Sequence, residues 1–458
     1  MKIIICGAGQ VGSNIASYLA AENNNVTVID HKADLTQRLS DRLDVRTVIG
    51  HASNPTILEQ AGAEDAEMLV AVTQSDEVNM VACQVAHSLF SVPTKVARIR
   101  NQAYLESRFS DLFTRDNLPI DVVISPEIEV ARAIRRRLDV PGAFDMFSVA
   151  DDMVRVVGVI CTERCPIIHT PLRQLTGLFP DLNIEIVAII RGERKIIPDS
   201  NDRMLPGDEV YFVADSRHMQ RAMSAFGHEE QAARRIVVVG GGNVGLFLGR
   251  ELEANISGVS VRIVEGNKER AEFVAGQLDK AIVLNGDGLD EEILREANVA
   301  GAETTVAVTN DDQVNILVSL LAKRSNCPHA ITLLNKTDYT ALVSALGIDA
   351  VVNPRSITAS TVLQHVRRGR IKSVHSLRDG FAEIIEAEAL ETSSLLNVPL
   401  KDVRLPPGVL IGAIVRGDEV IIGRPNAVIK PHDRVILLSA AQSVRKIEKL
   451  FAVRLEFF

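Results

Sequence analysis

The chain has 458 residues and a formal net charge of −9, with 46% hydrophobic and 24% charged residues. This composition is typical of a globular protein and excludes a largely disordered chain. The negative charge gives no overall attraction to nucleic acid or anionic lipid, and four Tyr with no Trp leave few surfaces on which bases can stack.

The sequence also argues against export and against a membrane span. It starts directly with a strand-like run rather than a cationic leader, and no stretch reaches about 18 uninterrupted apolar residues. Five Cys, an odd number, do not suggest a disulfide framework. We therefore expect a cytoplasmic protein without a transmembrane segment.

The first predicted strand leads into a glycine-rich turn. Apolar residues 3–6 precede a GxGxxG motif made of Gly7, Ala8, Gly9, Gln10, Val11 and Gly12. In this motif the first glycine permits the tight turn, the second lets a phosphate approach the backbone, and the third lets the next helix lie close on the strand. A second run, 26–29, ends at Asp30, where such folds place the carboxylate that accepts hydrogen bonds from the ribose hydroxyls. This combination predicts an adenine-nucleotide site.

Short Val- and Ile-rich runs alternate with helical patterns through the first 125 residues. They predict strands near residues 2–6, 26–30, 45–49, 68–72, 95–99 and 121–124. Capping residues followed by Pro or an acid predict helix starts at 54–55, 75–76 and 125–126. This rhythm is typical of a parallel, doubly wound Rossmann-like sheet.

The predicted helix after Ser125 is rich in arginine. It carries Arg132 and a run from Arg135 to Arg137, and its equivalent, which starts at 353–354, is followed by Arg367, Arg368 and Arg370. These arginines form either a solvated face or a contact with another subunit. Residues 140–142 then read as a linker.

Residues 143–227 have a different pattern. Strand-like runs at 153–160, 184–190 and 208–214 are separated by turns that contain glycine or proline. They predict a small α+β lobe with antiparallel strands. Residues 226–233 read as a hinge.

The whole arrangement is repeated in the second half of the chain. Apolar residues 236–239 lead into a second glycine motif, made of Gly240, Gly241, Gly242, Asn243, Val244 and Gly245, and the next strand ends at Glu265. The repeat predicts two Rossmann-like doubly wound domains, each followed by a small α+β lobe, in tandem duplication. The predicted ranges are 1–125, 143–227, 233–353 and 370–455.

Candidates for catalysis and metal binding are few. Cys161, Cys165 and His169 have metal-like spacing, but the repeat has Ala389, Ser393 and Asn397 at those places, so we expect no metal site. His31, His51 and His87 read as surface residues, with His51 the strongest catalytic candidate of the three. Without a repeated proton donor or substrate clamp, the sequence favours sensing over turnover. An NAD-dependent oxidoreductase of unknown substrate is the alternative.

The doubled two-domain order resembles the RCK (KTN) regulators of potassium transport over essentially all of the chain. The motifs that carry this resemblance are GAGQVG…D, GGGNVG…E, AVTxxDexN after strand four, and LPGDEV in the lobe. The resemblance implies a regulatory subunit that is not an enzyme. It implies a homo-oligomeric ring, peripheral on the cytoplasmic side of the inner membrane, under a membrane potassium channel or transporter that it gates. Which nucleotide activates the partner, and how many chains form the ring, stay open.

The resemblance also implies the binding residues. Gly7 to Val11 would hold a pyrophosphate, Asp30 a ribose, and Thr73, Gln74 and Arg98 would lie beside the nucleotide. The second copy would use Gly240 to Val244, Glu265, Thr309 and Asn310, but residues 332–335 contain no arginine. The expected cofactor is NAD(H), and the first site should prefer it to NADP(H) because Asp30 repels a 2′-phosphate. ATP or ADP remain alternatives, especially in the second site.

Overall fold

The structure is a computed structural model that describes residues 1–21, 24–179, 182–230, 232–336, 339–366, 371–377, 381–393, 395–440 and 443–451. The chain divides into two compact units. Unit 1 contains Met1–Glu129 and Pro354–Val366. Unit 2 contains Val130–Asn353 and the described residues after Val366. The four predicted domain ranges stay a prediction.

Unit 1 is built on a six-stranded parallel sheet with the order β3-β2-β1-β4-β5-β6. Its strands are β1 (Lys2–Cys6), β2 (Asn25–Asp30), β3 (Arg46–Ile49), β4 (Met68–Ala71), β5 (Thr94–Arg98) and β6 (Val122–Ile124). Its helices are α1 (Gln10–Ala21), α2 (Ala33–Ser40), α3 (Pro55–Gln60), α4 (Asp76–Phe90) and the start of α5 (Pro126–Leu138). The predicted doubly wound fold is confirmed.

Local sequence explains these elements. The residues Ile3 to Cys6 of β1 are all buried, as expected of a central parallel strand that is covered by helices on both faces. Asn54 Oδ1 accepts a hydrogen bond from Thr56 N at 3.0 Å and caps α3. Ser75 Oγ accepts from Val78 N at 3.2 Å and caps α4.

Helix α13 (Pro354–Val366) belongs to the second half of the sequence but to the core of unit 1. Its residues Ala359 and Val362 are buried in the same apolar cluster as Ile15 and Leu19 of α1. The helix that begins at the glycine turn is therefore covered by a helix from the other repeat.

Unit 2 contains a second parallel sheet and two antiparallel sheets. The parallel sheet has the order β14-β13-β12-β15-β16-β17. Its strands are β12 (Arg235–Val239), β13 (Ser260–Glu265), β14 (Ile282–Asn285), β15 (Thr304–Ala307), β16 (His329–Leu333) and β17 (Ala350–Val352). Its helices are α8 (Asn243–Asn255), α9 (Lys268–Ala275), α10 (Glu291–Glu296), α11 (Asp312–Arg324) and α12 (Thr340–Ala345).

The two lobes have five-stranded sheets, with the orders β10-β9-β11-β8-β7 and β18-β19-β22-β20-β21. The first lobe contains β7 (Ala143–Val149), β8 (Val154–Ile160), α6 (Leu172–Leu178), β9 (Ile184–Arg191), β10 (Arg194–Ile196), β11 (Glu209–Asp215) and α7 (Met219–Ala225). The second contains β18 (Ile371–Leu377), β19 (Ala382–Glu388), β20 (Val409–Arg416), β21 (Glu419–Ile422), β22 (Arg434–Ala440) and α14 (Val444–Phe451). The lobe sheets share one apolar core, in which Val156 and Val213 of the first lobe lie with Ile384 and Val415 of the second.

A repeated ion pair explains the turn motifs of the lobes. Arg191 Nε and one of its terminal nitrogens donate to the two carboxylate oxygens of Asp208, both at 2.8 Å. Arg416 and Asp433 form the same fork, at 2.9 and 2.7 Å. Each pair links the end of one strand, β9 or β20, to the turn before its neighbour in the sheet, β11 or β22.

Two expectations about connecting segments need correction. The arginines of α5 do not form a uniformly solvated face. Arg132 is half-exposed and lies 3.6 Å from Glu251 of α8, whereas Arg135 is more buried and lies 3.9 Å from the same carboxylate. Arg137 is mostly buried and donates to Val351 O at 2.8 Å. The interpretation of these arginines as a contact with another subunit stays a prediction. Arg367, Arg368 and Arg370 lie outside the described residues.

The segments read as linker and hinge have buried ends. Strand β7, which the sequence did not indicate, starts directly after Gly142, and Val140 is buried. In the hinge, Phe226 stacks on Phe212 with ring centroids 4.7 Å apart, and Ala233 is buried. Both connections are therefore packed against a lobe or sheet over part of their length.

Candidate functional site

The three glycines of the first turn have different reasons to be glycine. Gly7 has a φ of +111°, and a Cβ there would lie 3.2 Å from Thr73 N. A Cβ on Gly12 would lie 1.8 Å from Gly7 O, so the helix can approach the turn only with glycine. A Cβ on Gly9 would meet nothing within 4 Å, and Gly9 does not have a positive φ. The fold itself therefore does not require glycine at position 9.

Asp30 at the end of β2 holds the glycine turn. Its Oδ2 accepts a hydrogen bond from Ala8 N at 2.7 Å, and its Oδ1 accepts one from Lys32 N at 2.9 Å. His31 Nδ1 lies 3.3 Å from Oδ1, and the His31 ring stacks on His51 at 5.2 Å. Because each carboxylate oxygen has two acceptor sites, Asp30 keeps acceptor capacity at the mouth of the turn.

A buried asparagine joins the ends of β4 and β5. Thr73 N and Thr73 Oγ1 donate to Asn79 Oδ1 at 2.9 and 2.7 Å, and Asn79 Nδ2 donates to Arg98 O at 2.9 Å. Asn79 is fully buried, whereas Gln74 is exposed. We call the region at the carboxyl ends of these strands, bordered by the glycine turn, Asp30 and Thr73, the first crevice, and the equivalent region of the second parallel sheet the second crevice. In the sequence, Asn79 stands out only as the last residue of the repeated AVTxxDexN segment, and no role in the site was predicted for it.

Arg98 is the last residue of β5, and its side chain is mostly buried. Its side chain is 16% exposed, and one terminal nitrogen lies 3.8 Å from Glu127 Oε1. Burial lowers the pKa of Arg98 below its ordinary value, while Glu127 nearby raises it. Within the described part of the chain, Arg98 Nε is buried and has no hydrogen-bond partner.

The second glycine turn repeats this geometry. Gly240 has a φ of +112°, and a Cβ on Gly245 would lie 1.9 Å from Gly240 O. Gly242, like Gly9, would have open space around a Cβ, and its φ of −61° suits any residue. Glu265 Oε2 accepts from Gly241 N at 2.7 Å, as Asp30 does from Ala8 N.

The rest of the second crevice matches as well. Thr309 N donates to Asn315 Oδ1 at 2.8 Å, and Asn315 Nδ2 donates to Leu333 O at 3.0 Å. Leu333 therefore takes the place of Arg98. Asn310 is exposed, as is Gln74. Asn243 and Val244 begin α8, as Gln10 and Val11 begin α1.

Of the other candidate residues, His31 and His51 lie beside Asp30, whereas the cysteines belong to a lobe. Cys161 and Cys165 are buried in the first lobe. In the nine ranges that the structure describes, no three His, Cys, Asp or Glu side chains are placed to hold a metal ion. Among the helices that can be described, none combines the length and apolar character needed to cross a membrane.

Comparison with known proteins places the chain. The TrkA-N domain model matches residues 3–126 and 236–354, and the TrkA-C domain model matches 156–227 and 384–452. The chain is 52% identical over 458 residues to the Trk system potassium uptake protein TrkA of Azorhizobium caulinodans, covering 100% of both chains. It is 44% identical over 462 residues to the protein of that name from Halomonas elongata, also with 100% coverage of both.

Solved structures show the same fold. The GsuK channel has a TM-score of 0.62 and 17% identity, over 99% of this chain and 79% of that chain. The GsuK RCK domain has a TM-score of 0.59 and 17% identity, over 99% of this chain and 95% of that chain. The two relatives at 52% and 44% identity are named for potassium uptake and not for a catalysed reaction, in agreement with the expectation of a protein that is not an enzyme. The chain belongs to the TrkA family of potassium uptake proteins.

Proposed function

We propose that this chain is the nucleotide-binding regulatory subunit that gates a Trk-type membrane potassium channel or transporter. It binds NAD(H) and also ATP or ADP, and it acts as a homo-oligomeric ring, peripheral on the cytoplasmic side of the inner membrane. The relatives named for potassium uptake support the transport role. The two crevices support the nucleotide.

One observation carries the nucleotide assignment. Gly9 and Gly242 are glycines that neither a positive φ nor a neighbouring atom requires. Each stands where a turn opens into a helix, and a side chain there would fill the space in front of the helix N-terminus. A phosphate that must approach the backbone explains glycine at both positions.

The first crevice fits a dinucleotide. The backbone from Gly7 to Val11 would hold the pyrophosphate, and the spare acceptor capacity of Asp30 would take the ribose hydroxyls. A 2′-phosphate would meet the Asp30 carboxylate, so NAD(H) is preferred to NADP(H). Arg98, at the end of β5, would lie beside the second half of the ligand.

A packed helix supplies a route from nucleotide to partner. Helix α1, whose N-terminus borders the first crevice, packs against α13, and the chain continues from α13 to the second lobe. A nucleotide that shifts α1 therefore changes the surface on which α13 packs. The nucleotide can drive the partner only if it binds one conformation of the ring more tightly than another. To change the ratio of the two conformations from 1:99 to 99:1, it must bind the favoured one about 10⁴-fold more tightly.

Potassium flux into vesicles that contain the purified Trk-type channel tests the proposal. We expect flux to change when this protein is added, and to change again with NADH or ATP. Gly9→Val together with Gly242→Val should fold and abolish the nucleotide response, because each new side chain enters open space in front of a turn. Gly177→Val, also in open space but in the first lobe, is the matched control. Identical flux with and without the protein at every nucleotide concentration contradicts the gating role.

A further inference from the structure

The second crevice carries an arginine on its glycine turn. Arg270 Nε donates to Gly241 O at 2.7 Å, and a terminal nitrogen donates to Asn243 Oδ1 at 3.1 Å. The guanidinium lies over the Phe273 ring, 5.0 Å from its centroid. Arg270 thus reaches from α9, after the second strand of this sheet, to the phosphate side of the crevice.

The first crevice has no counterpart of this arginine. Both acidic residues, Asp30 and Glu265, end the second strand of their sheet, and the residue five positions later is Leu35 in one and Arg270 in the other. Leu35 packs against the apolar core of unit 1. In the first turn the equivalent carbonyl, Ala8 O, accepts a hydrogen bond from Ser13 Oγ at 2.9 Å instead. The arginine is therefore a property of the second crevice alone.

At the end of the fifth strand of each parallel sheet, the first crevice has an arginine and the second does not. Arg98 O and Leu333 O accept equivalent hydrogen bonds from Asn79 and Asn315, so these two residues occupy matched positions. Leu333 is 5% exposed and offers no donor to a ligand from its side chain. In a doubly wound sheet the adenosine half lies toward the second strand and the other nucleotide lies across the switch point. The second crevice therefore has a guanidinium at the glycine turn, where the phosphates of a nucleotide would lie, and an apolar side chain, Leu333, at the position of Arg98.

We propose that Arg270 is a specificity-determining residue that makes the second crevice select adenine nucleotides with a free terminal phosphate, ADP or ATP, over NAD(H). This inference rests on the proposed nucleotide-binding function. The terminal phosphate of ADP or ATP carries more charge than the pyrophosphate diester of NAD(H), and a guanidinium is suited to bind it. Glu265, held by Gly241 N and Asn267 N at 2.7 and 2.9 Å, opposes a 2′-phosphate as Asp30 does.

Calorimetric titration of the full chain tests this inference. Gly9→Val closes the first crevice, and ADP, ATP, NADH and NADPH are titrated into the second. We expect ADP and ATP to bind more tightly than NADH, and Arg270→Leu to weaken ADP and ATP about tenfold while changing NADH less than about twofold. Arg295→Leu, which removes a 75% exposed arginine from α10, is the control and should change neither.

A second variant separates phosphate recognition from bracing of the turn. Arg270→Gln keeps an N–H donor for Gly241 O but removes the charge, so a mere brace would tolerate it. We expect it to lose ADP affinity nearly as far as Arg270→Leu. In the reverse experiment, Leu35→Arg in a Gly242→Val chain should raise ADP affinity relative to NADH in the first crevice.

The outcomes separate this inference from the proposed function. Equal losses of ADP and NADH affinity, or full ADP affinity in Arg270→Gln, make Arg270 a structural brace and overturn the inference. NADPH binding that is tighter than that of ADP and depends on Arg270 also overturns it. NADH binding to the first crevice of the Gly242→Val chain keeps the proposed function in either case. Failure of every nucleotide to bind the unaltered chain overturns both.

Discussion

Replacement of Asp30 by Asn separates the two roles that the structure gives this side chain. The carboxylate accepts from Ala8 N through one oxygen and from Lys32 N through the other. An amide has only one oxygen, so one backbone N–H would face an NH₂ group instead of an acceptor. The same change removes the negative charge and one acceptor from the mouth of the crevice.

The size of the effect follows from these contacts. A hydrogen bond to a charged group contributes about 1.5–3 kcal/mol. The loss of one ribose contact should therefore weaken NADH binding about 10- to 150-fold. The unpaired backbone N–H should lower the stability of unit 1 by about 1–3 kcal/mol even without nucleotide.

Two measurements check this prediction. NADH is titrated calorimetrically into Asp30→Asn in the Gly242→Val background, and thermal unfolding is followed without ligand. Asp34→Asn, which neutralises an exposed acid on α2, is the matched control and should change neither quantity. NADH affinity within twofold of the unaltered chain would remove Asp30 from the binding site, and an unchanged unfolding midpoint would refute its role in holding the turn.

Three further predictions concern the lobes and the chemistry. Burial lowers the pKa of His375 to about 4, so the unfolded state binds more protons between pH 4 and about 6.5. The free energy of unfolding should therefore fall by up to about 3 kcal/mol as the pH falls through that range. His375→Gln should flatten the dependence of the thermal midpoint on pH. The control His432→Gln, at a 67% exposed site, should leave that dependence unchanged. Asp208→Asn breaks the fork with Arg191 at a site that is 1% exposed, and should lower the urea midpoint with a loss of about 2 kcal/mol; an unchanged midpoint would show that the fork is dispensable. NADH should not be consumed when 2-hydroxy and 2-keto acids are added, and a steady loss of absorbance near 340 nm would favour the oxidoreductase instead.

The strands around the glycine turns could be predicted because their signals are local. A central strand such as β1 is apolar along its length, and the tight turn and close helix approach can be met only by Gly7 and Gly12. The helix starts carry their caps in adjacent residues. Strand β7 was missed because it follows a Pro-Gly pair that is typical of a turn, and because its residues alternate only weakly between apolar and polar.

Partners that lie far away in the sequence could not be predicted. The arginines of α5 have the composition of a solvated face, and their pairing with Glu251 depends on how the second repeat folds back. Asn79 reads as an ordinary polar residue near a helix start, although it is buried and joins two strand ends. Arg270 lies in a helix whose counterpart has leucine, so only the three-dimensional contact with Gly241 O gives it meaning.

The packing of α13 on α1 makes the two repeats inseparable as folding units. A fragment that ended near residue 230 would expose the face of Ile15 and Leu19 that Val362 now covers. A protease cut in the hinge would sever the backbone, yet the fragments should elute together on a sizing column. A protein with only one repeat would have to borrow this helix from a second molecule, so tandem fusion of the gene converts an exchange between molecules into one within a single chain.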